Sequence, residues 1–265
     1  MAQKEIQIED SKVVYHIYGK GKPVLLVHGF GEAGDVWENQ IEFLKNDYSL
    51  IVPDLPGSGA SAIVNDMTME GLAEVLKKIL DAESIDTCVM IGHSMGGYIT
   101  LAFAEKHSSS LSAFGLFHST AFPDSEEKKN TRRKGIEFIK EHGAFQFLEN
   151  TTPNLFAPAT KQERPELIDG QIAKLDKFTN AALIDYYEGM IQRPDRTQVL
   201  RSSTKPVLFV AGKFDTAIPI EDVLKQCHLP SLSYIHTLEN SGHMGMLEEP
   251  GESNLILKNF LEETG

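Results

Sequence analysis

Short apolar runs alternate with segments of helical spacing along most of the chain. Two stretches of alternating apolar and polar residues, at 5–9 and 12–18, come first and predict a pair of strands. Six apolar runs follow, and most of them end in Gly, Pro, Asp or Ser: 23–29, 48–54, 86–92, 111–119, 205–212 and 232–239. Apolar runs separated by helices are typical of parallel strands covered on both faces. The pattern therefore predicts an α/β protein with a mostly parallel, eight-stranded sheet and helices on both faces.

The alternation stops between residues 123 and 196, where no convincing strand is found. Ser125 resembles a helix N-cap, and Thr179 or Asn180 is suited to begin a later helix that ends before Pro194. We expect a helical cap, 123–196, inserted between strands of a core made of 1–122 and 197–265. The basic run KKNTRRK within it is interpreted as a solvated helix face.

One serine lies where an apolar run becomes a helix, within GHSMGG at 92–97. Ser94 has a glycine two positions before it and another two positions after it. A sharp turn from strand to helix needs such small residues, because larger side chains there would collide. The turn would present the hydroxyl at the sheet edge, near the free amide N–H groups of a helix N-terminus. The motif predicts a nucleophile, although a packing turn whose serine only caps the helix would have the same sequence.

A serine nucleophile needs a base, and the base needs a carboxylate that orients it. His243 follows the last apolar run and Asp215 follows the run before it, so both are expected at the edge where Ser94 lies. Their order along the chain agrees with this arrangement. After the first parallel run, HGFG at 28–31 places the Phe30 amide where it can join the Met95 amide in binding an oxyanion.

Five motifs together resemble those of a capped α/β-hydrolase, over nearly the whole chain: HGFG, DLPGSGAS, GHSMGG, the aspartate after GKF, and SGHMG. The resemblance implies the catalytic residues Ser94 (nucleophile), Asp215 (acid) and His243 (base), with the backbone amides of Phe30 and Met95 as oxyanion donors. Dehalogenases and epoxide hydrolases of this fold carry aspartate at the turn, so a serine argues against both chemistries. The cap resembles the family in position and helical character only, and therefore implies no substrate.

Other residues fit a catalytic or cofactor role less well. Asp54, in DLPGSGAS, usually braces loops in the family. The stretch 57–62 fits G-x-G-x-x-A, but no helix follows at once, which argues against a dinucleotide site. No cluster has metal-ligand spacing, so we expect neither metal nor cofactor. Three further histidines are interpreted as supporting or interior residues rather than as the base: His28, His93 and His118.

Composition narrows the choice of partner and compartment. The net charge of −13 argues against nucleic acid or an anionic membrane as partner. The first residues carry charges where a secretion signal needs an apolar core, and no apolar stretch approaches the ~20 residues of a membrane span. Two cysteines make no disulfide framework. We expect a soluble, cytoplasmic protein, with no protein partner indicated.

The expected substrate is a small to medium, mostly apolar carboxylic ester, cleaved through an acyl-enzyme. Phe30, Phe122 and Met244 flank the catalytic positions and are expected to contact it. The same three catalytic groups also serve carbon–carbon bond hydrolases, thioesterases and lactonases, and these alternatives stay open. Some capped relatives act as small-molecule receptors or signalling regulators with slow turnover. That interpretation needs a partner surface on the cap, and no long exposed apolar stretch is found there.

Overall fold

Eight strands form one sheet in the computed structural model, which describes residues 1–264. The strands are β1 Ala2–Ile8, β2 Ser11–Tyr18, β3 Lys22–Val27, β4 Tyr48–Pro53, β5 Cys88–His93, β6 Leu111–Phe117, β7 Val207–Gly212 and β8 Ser233–Leu238. Their order is β1-β2-β4-β3-β5-β6-β7-β8. Only β2 pairs antiparallel, with β1 and β4, and the strands from β3 to β8 are parallel. The prediction of a mostly parallel eight-stranded sheet is confirmed.

Helices connect the strands. The α-helices of residues 1–264 are α1 Glu38–Leu44, α2 Met69–Ala82, α3 Met95–Lys106, α4 Glu126–His142, α5 Ala144–Thr151, α6 Pro158–Glu163, α7 Pro165–Ile172, α8 Asn180–Gln192, α9 Thr197–Ser202, α10 Ile220–Leu224, α11 Gly245–Glu248 and α12 Pro250–Thr264. Short 3-10 helices lie at Gly34–Trp37, Ser108–Ser110, Thr152–Leu155 and Leu175–Lys177.

The two faces of the sheet have separate apolar cores. Leu25 and Val27 of β3 pack in a cluster with residues of α2 and α3. Val24 and Leu26 alternate with them and pack in a second cluster with residues of α1 and α12. All four side chains are fully buried, and such burial stabilises the fold by about 1.5–3 kcal/mol for each large aliphatic side chain. Both faces of the sheet are therefore covered by helices, as predicted.

Six helices, α4 to α9, lie between β6 and β7, and we call this segment (126–202) the helical insertion. The hydroxyl of Ser125 accepts a hydrogen bond from the Lys128 amide, and that of Thr179 accepts one from the Ala182 amide, each at 3.2 Å. These contacts cap α4 and α8 by satisfying amides that helix starts leave free. Helix α4 packs against α5 and α8. The division into core and cap domains at 122/123 and 196/197 stays a prediction.

Both cysteines, Cys88 and Cys227, are buried and free. Burial raises the pKa of the Cys88 thiol to about 12, so this group stays a neutral apolar side chain. None of the helices between residues 1 and 264 has the length and apolar content that a bilayer crossing requires.

Candidate active site

Ser94 forms the junction between β5 and α3. Its backbone has φ 51° and ψ −115°, a conformation that costs a residue with a side chain about 1–3 kcal/mol. Hydrogen bonds on both sides hold it there. The Ser94 amide donates to the Phe117 carbonyl at 2.9 Å, and its carbonyl accepts from the Ser119 hydroxyl at 2.7 Å. The surrounding backbone thus imposes the strained turn that the motif predicted.

The glycines around Ser94 are required by close backbone approaches. A Cβ atom on Gly92 would collide with the carbonyl oxygen of Gly96, and one on Gly96 would collide with the carbonyl oxygen of Val27. A Cβ atom on Gly97 would meet the Ser119 hydroxyl. The strand and the helix can therefore cross at this angle only if the positions two residues before and two residues after the serine lack a side chain.

Asp215 and His243 meet at the carboxyl ends of β7 and β8. Nδ1 of His243 lies 2.7 Å from Oδ2 of Asp215. The other carboxylate oxygen accepts hydrogen bonds from the amides of Ala217 and Ile218, at 2.9 and 2.8 Å. Burial alone would raise the pKa of Asp215, but the adjacent His243 and His118 hold it well below its usual range. The carboxylate is therefore fixed in position and ionised.

His243 is oriented as a proton acceptor. A neutral ring that donates from Nδ1 to Asp215 carries its lone pair on Nε2. Burial opposes protonation, but the Asp215 carboxylate outweighs it and raises the pKa of His243 above its ordinary value. The backbone is held as well, because the His243 amide donates to the Leu155 carbonyl at 2.6 Å. His243 and Ser94 line the same cavity.

A second histidine contacts the same carboxylate. His118 is fully buried after β6, and its Nδ1 lies 3.1 Å from Oδ2 of Asp215. Burial lowers the pKa of His118 to about 4, despite the neighbouring Asp215. The ring is therefore a neutral donor, and its buried Nε2 has no hydrogen-bond partner among residues 1–264. His118 was expected to be a supporting or interior residue, and the unpartnered Nε2 is a feature that this expectation did not include. His118 directly follows β6, and Asp215 follows the neighbouring strand β7. The position of His118 at the end of an apolar run was the sequence signal that could have placed it near Asp215.

Three side chains described above also have ligand atoms close enough together to hold a metal ion. Atoms of His118, Asp215 and His243 lie within 4.8 Å of one another. Both Nδ1 atoms are at hydrogen-bonding distance from one carboxylate oxygen, which requires a proton on each. A metal ion bound through these atoms would have to displace both protons.

Two backbone amides near Ser94 are free to bind an oxyanion. Within residues 1–264, neither the Phe30 amide nor the Met95 amide donates a hydrogen bond to another protein group. Phe30 follows β3 and lines the cavity, and Met95 is the first residue of α3. Amides in such positions stabilise a developing negative charge, at about 3 kcal/mol for each donor.

The loop that carries Phe30 is braced by buried polar residues. The carboxylate of Glu32 accepts from the Gly29 amide at 2.7 Å and lies 3.0 Å from Nδ1 of His93. His93 is fully buried, and its Nε2 lies 2.9 Å from the carbonyl oxygen of His243. Both ring nitrogens of His93 thus have partners other than Ser94. His28 accepts from the Leu55 amide at 2.9 Å and supports the loop. Sequence analysis did not identify Glu32, because no pattern marks it.

Asp54 braces loops as well. One carboxylate oxygen accepts from the Gly34 amide at 3.0 Å and the other from the Ala60 amide at 2.9 Å. Both oxygens are thus occupied by backbone amides, which agrees with a structural role for this residue.

The cavity beside Ser94 has a volume of about 190 Å³. Two of the three predicted substrate contacts, Phe30 and Met244, line it. Phe122, the third, is not among the residues that line it. The Phe122 amide donates to the Thr120 hydroxyl and its carbonyl accepts from Arg193. The helical insertion supplies side chains that the sequence analysis did not assign to the pocket: Arg132, Leu148, Thr151, Thr152, Leu155, Gln171, Leu175, Tyr187 and Met190.

Arg132 departs from the interpretation of KKNTRRK as a solvated face. Arg133 and Lys134 are exposed, but the side chain of Arg132 is only 19% exposed and lies at the cavity wall. Next to it, the ring of Tyr187 stacks on Phe30 with centroids 4.4 Å apart. The insertion therefore contacts the loop that carries the candidate oxyanion amide.

Comparison with known proteins agrees with this architecture. Residues 22–128 match the family model of the alpha/beta hydrolase fold. An esterase of known structure from Thermogutta terrifontis superposes with a TM-score of 0.93 and 29% sequence identity, covering 100% of this chain and 99% of that one. The chain has the α/β-hydrolase fold.

Curated proteins with similar sequences differ in the activities that their names give. The chain is 28% identical, over 94% of its length and 91% of the other, to a 2-hydroxy-6-oxononadienedioate/2-hydroxy-6-oxononatrienedioate hydrolase of Paraburkholderia phymatum. It is 27% identical, over 92% of its length, to the dihydrolipoyllysine-residue acetyltransferase component of the acetoin cleaving system of Cupriavidus necator. The chain spans 64% of the length of that second protein.

Proposed function

We propose that the protein is a serine hydrolase that cleaves carboxylic esters through an acyl-enzyme. The observation that carries the proposal is the cavity shared by Ser94 and His243, with Asp215 2.7 Å behind the histidine. Ser94 is the nucleophile, His243 the general base and Asp215 the acid that orients it. These are the three roles that activate a serine hydroxyl.

In the first half of the reaction, Ser94 Oγ attacks the ester carbonyl carbon while Nε2 of His243 takes the hydroxyl proton. The amides of Phe30 and Met95 bind the oxyanion of the tetrahedral intermediate. The bond from the carbonyl carbon to the alcohol oxygen then breaks, and His243 gives its proton to the departing alcohol.

In the second half, water attacks the acyl-Ser94 ester and His243 takes a proton from it. The bond to Ser94 Oγ breaks, the proton returns to that oxygen and a carboxylic acid leaves. Asp215 stays ionised throughout, because its environment holds its pKa well below the working range.

An ester is the favoured substrate because the structurally similar Thermogutta protein, which aligns with the entire chain, is an esterase. A second candidate is the cleavage of a carbon–carbon bond. The 28% identical Paraburkholderia relative is named as a hydrolase of 2-hydroxy-6-oxononadienedioate, a compound whose name contains no ester. A cation, Arg132, also lines the cavity. Thioester and lactone hydrolysis use the same groups and differ only in the leaving group. The receptor alternative predicts acylation followed by very slow release.

A series of p-nitrophenyl esters from acetate to dodecanoate tests the proposal with wild type and Ser94→Ala, followed through the burst and the steady state. The proposal predicts sustained turnover with an optimum at one chain length, and loss of nearly all turnover in folded Ser94→Ala. A folded Ser94→Ala protein with wild-type rates would overturn it. A single burst that then stalls would favour the receptor alternative.

A further inference from the structure

A buried charge cluster lies beside the cavity and carries more arginines than carboxylates. Asp124, whose side chain is fully buried, lies 2.5 Å from Nε of Arg132 and 2.9 Å from Nη2 of Arg193. Within the described part of the chain, neither guanidinium hydrogen-bonds to a second carboxylate. The cluster therefore carries one positive charge in excess.

The two arginines differ in what they leave free. Arg193 is 4% exposed, donates to the carbonyls of Met190 and Phe122, and lies 3.8 Å from the centre of the Tyr98 ring. Both terminal nitrogens of Arg193 are therefore bound within the protein, and among residues 1–264 it is not one of those that line the cavity. Arg132 lines the cavity, and its Nη1 makes no hydrogen bond to residues 1–264. Arg132 can therefore bind a ligand without giving up Asp124.

Other charges near the cavity do not neutralise this excess. Glu32 also lines the cavity, but its carboxylate is occupied by the Gly29 amide and Nδ1 of His93 on the core side. Lys128, one turn before Arg132, donates to the carbonyl of Ala217, another cavity residue. Arg132 keeps Asp124 as its partner, but an uncharged substrate would leave the excess positive charge without a counter-charge and Nη1 without an acceptor in a partly desolvated site, which is costly.

We infer that the substrate is an ester that also bears a carboxylate, which Arg132 binds while the ester group lies at Ser94. The inference rests on the proposed function and gives its substrate class: half-esters of short dicarboxylic acids and related acyl compounds. Guanidinium and carboxylate form the strongest type of hydrogen-bonded pair in proteins. The class differs from the mostly apolar, uncharged ester that the sequence analysis favoured.

The test compares monomethyl adipate with its neutral amide, methyl 6-amino-6-oxohexanoate, by kcat/KM. The two have the same length and differ only in the terminal charge. Wild type is expected to prefer the carboxylate by roughly tenfold or more, the range of one charge-assisted hydrogen bond. In Arg132→Gln the ratio is expected to fall to within about threefold of one, since only a neutral amide remains to meet the carboxylate. Arg193 stays on Asp124 in this variant and keeps the buried carboxylate paired.

Arg133→Gln is the matched control. Arg133 is the next residue of α4, is exposed, donates to Asn130 and does not line the cavity. The Arg133→Gln variant loses the same charge as Arg132→Gln and should keep the wild-type ratio of kcat/KM for the two compounds. A wild-type ratio near one, or an unchanged ratio in Arg132→Gln, would overturn the inference while leaving Ser94-dependent hydrolysis intact.

Binding to Ser94→Ala protein separates this inference from the proposed function. Calorimetry on that variant should show monomethyl adipate binding roughly tenfold more tightly than the amide, and loss of the difference when Arg132→Gln is added. Equal binding of the two compounds would contradict the carboxylate site. Hydrolysis that persists in Ser94→Ala would instead contradict the proposed function.

Discussion

Nδ1 of His118 lies 3.1 Å from Oδ2 of Asp215, the oxygen that His243 approaches to 2.7 Å. One carboxylate oxygen thus accepts hydrogen bonds from two imidazoles, of which His118 is a neutral donor with a pKa of about 4. A neutral donor stabilises the negative charge of Asp215 and weakens its pull on the proton of His243. His118 is therefore a positioning and tuning residue for the candidate base.

Replacing His118 by Leu removes one of the hydrogen bonds on Asp215. The carboxylate becomes more basic and holds the protonated form of His243 more strongly. We expect the acid limb of the kcat/KM profile to move to higher pH, by on the order of half to one pH unit. The measurement is a full pH profile for wild type and variant.

His118→Asn is the conservative control, since its amide group can still donate. It should return the acid limb towards the wild-type position. If both variants lost stability while the limb stayed where it was, His118 would be a packing residue only.

The pH dependence of wild type follows from His243. In the proposed mechanism His243 must be neutral to take the serine proton, and Asp215 raises the pKa of His243 above its ordinary value of 6.5. We expect kcat/KM to fall as the pH is lowered through a midpoint above 6.5. The same pair stabilises the fold below the pKa of the unfolded histidine, and that contribution is lost as the pH rises through the folded value. An acid limb centred below 6.5 would contradict the role of His243.

Asp215→Asn removes the charge that holds His243 in its donating tautomer. By the behaviour of other serine enzymes, we expect kcat to fall by roughly 10³- to 10⁴-fold, with the fold retained. Asp54→Asn is the control, because that carboxylate binds only the amides of Gly34 and Ala60. A greater loss of kcat in a fully stable Asp54→Asn variant than in Asp215→Asn would show that Asp215 is not the acid.

Asp124→Asn leaves Arg132 and Arg193 buried without a counter-charge. We expect the free energy of unfolding to fall by about 3–5 kcal/mol, as when one partner of a buried ion pair is removed. Burial alone would raise the pKa of Asp124, but its two arginines lower it below the usual 3.8. Its stabilising contribution is thus complete above that value and is lost as the pH falls through the folded pKa.

Urea denaturation at neutral pH measures this loss. Glu239→Gln breaks an exposed pair with Lys213 and serves as the control, with little change expected. Equal stability of Asp124→Asn and wild type would show that the cluster is not a structural ion pair.

The sequence predicted those parts of the site that local patterns encode. Ser94 lies in a turn whose glycines are dictated by backbone contacts, and Asp215 and His243 directly follow strands of a parallel sheet. Each of these features can be recognised within a few residues, and the sheet brings them to one edge. Six of the eight strands were predicted from short, clearly bounded apolar runs, and the first two were predicted from alternating apolar and polar residues.

The remaining parts depend on tertiary contacts. Helical spacing cannot tell which side of α4 faces the cavity, so Arg132 could not be separated from Arg133. Proximity in the chain placed Phe122 near the site, but its backbone is engaged by Arg193 and its side chain does not line the cavity. His118 required knowledge of its burial, because only that makes it a neutral donor.

Identifying the acylated residue tests the role of Ser94 as nucleophile. Wild-type protein is mixed with p-nitrophenyl butyrate and quenched with acid during the burst, and the digested peptides are weighed by mass spectrometry. The acyl-enzyme mechanism predicts one butyryl group, on Ser94 in the peptide that contains GHSMGG, and none in Ser94→Ala. The mechanism would be contradicted by a butyryl group on a residue other than Ser94 during turnover. It would also be contradicted if Ser94→Ala hydrolysed the ester at the wild-type rate without being labelled.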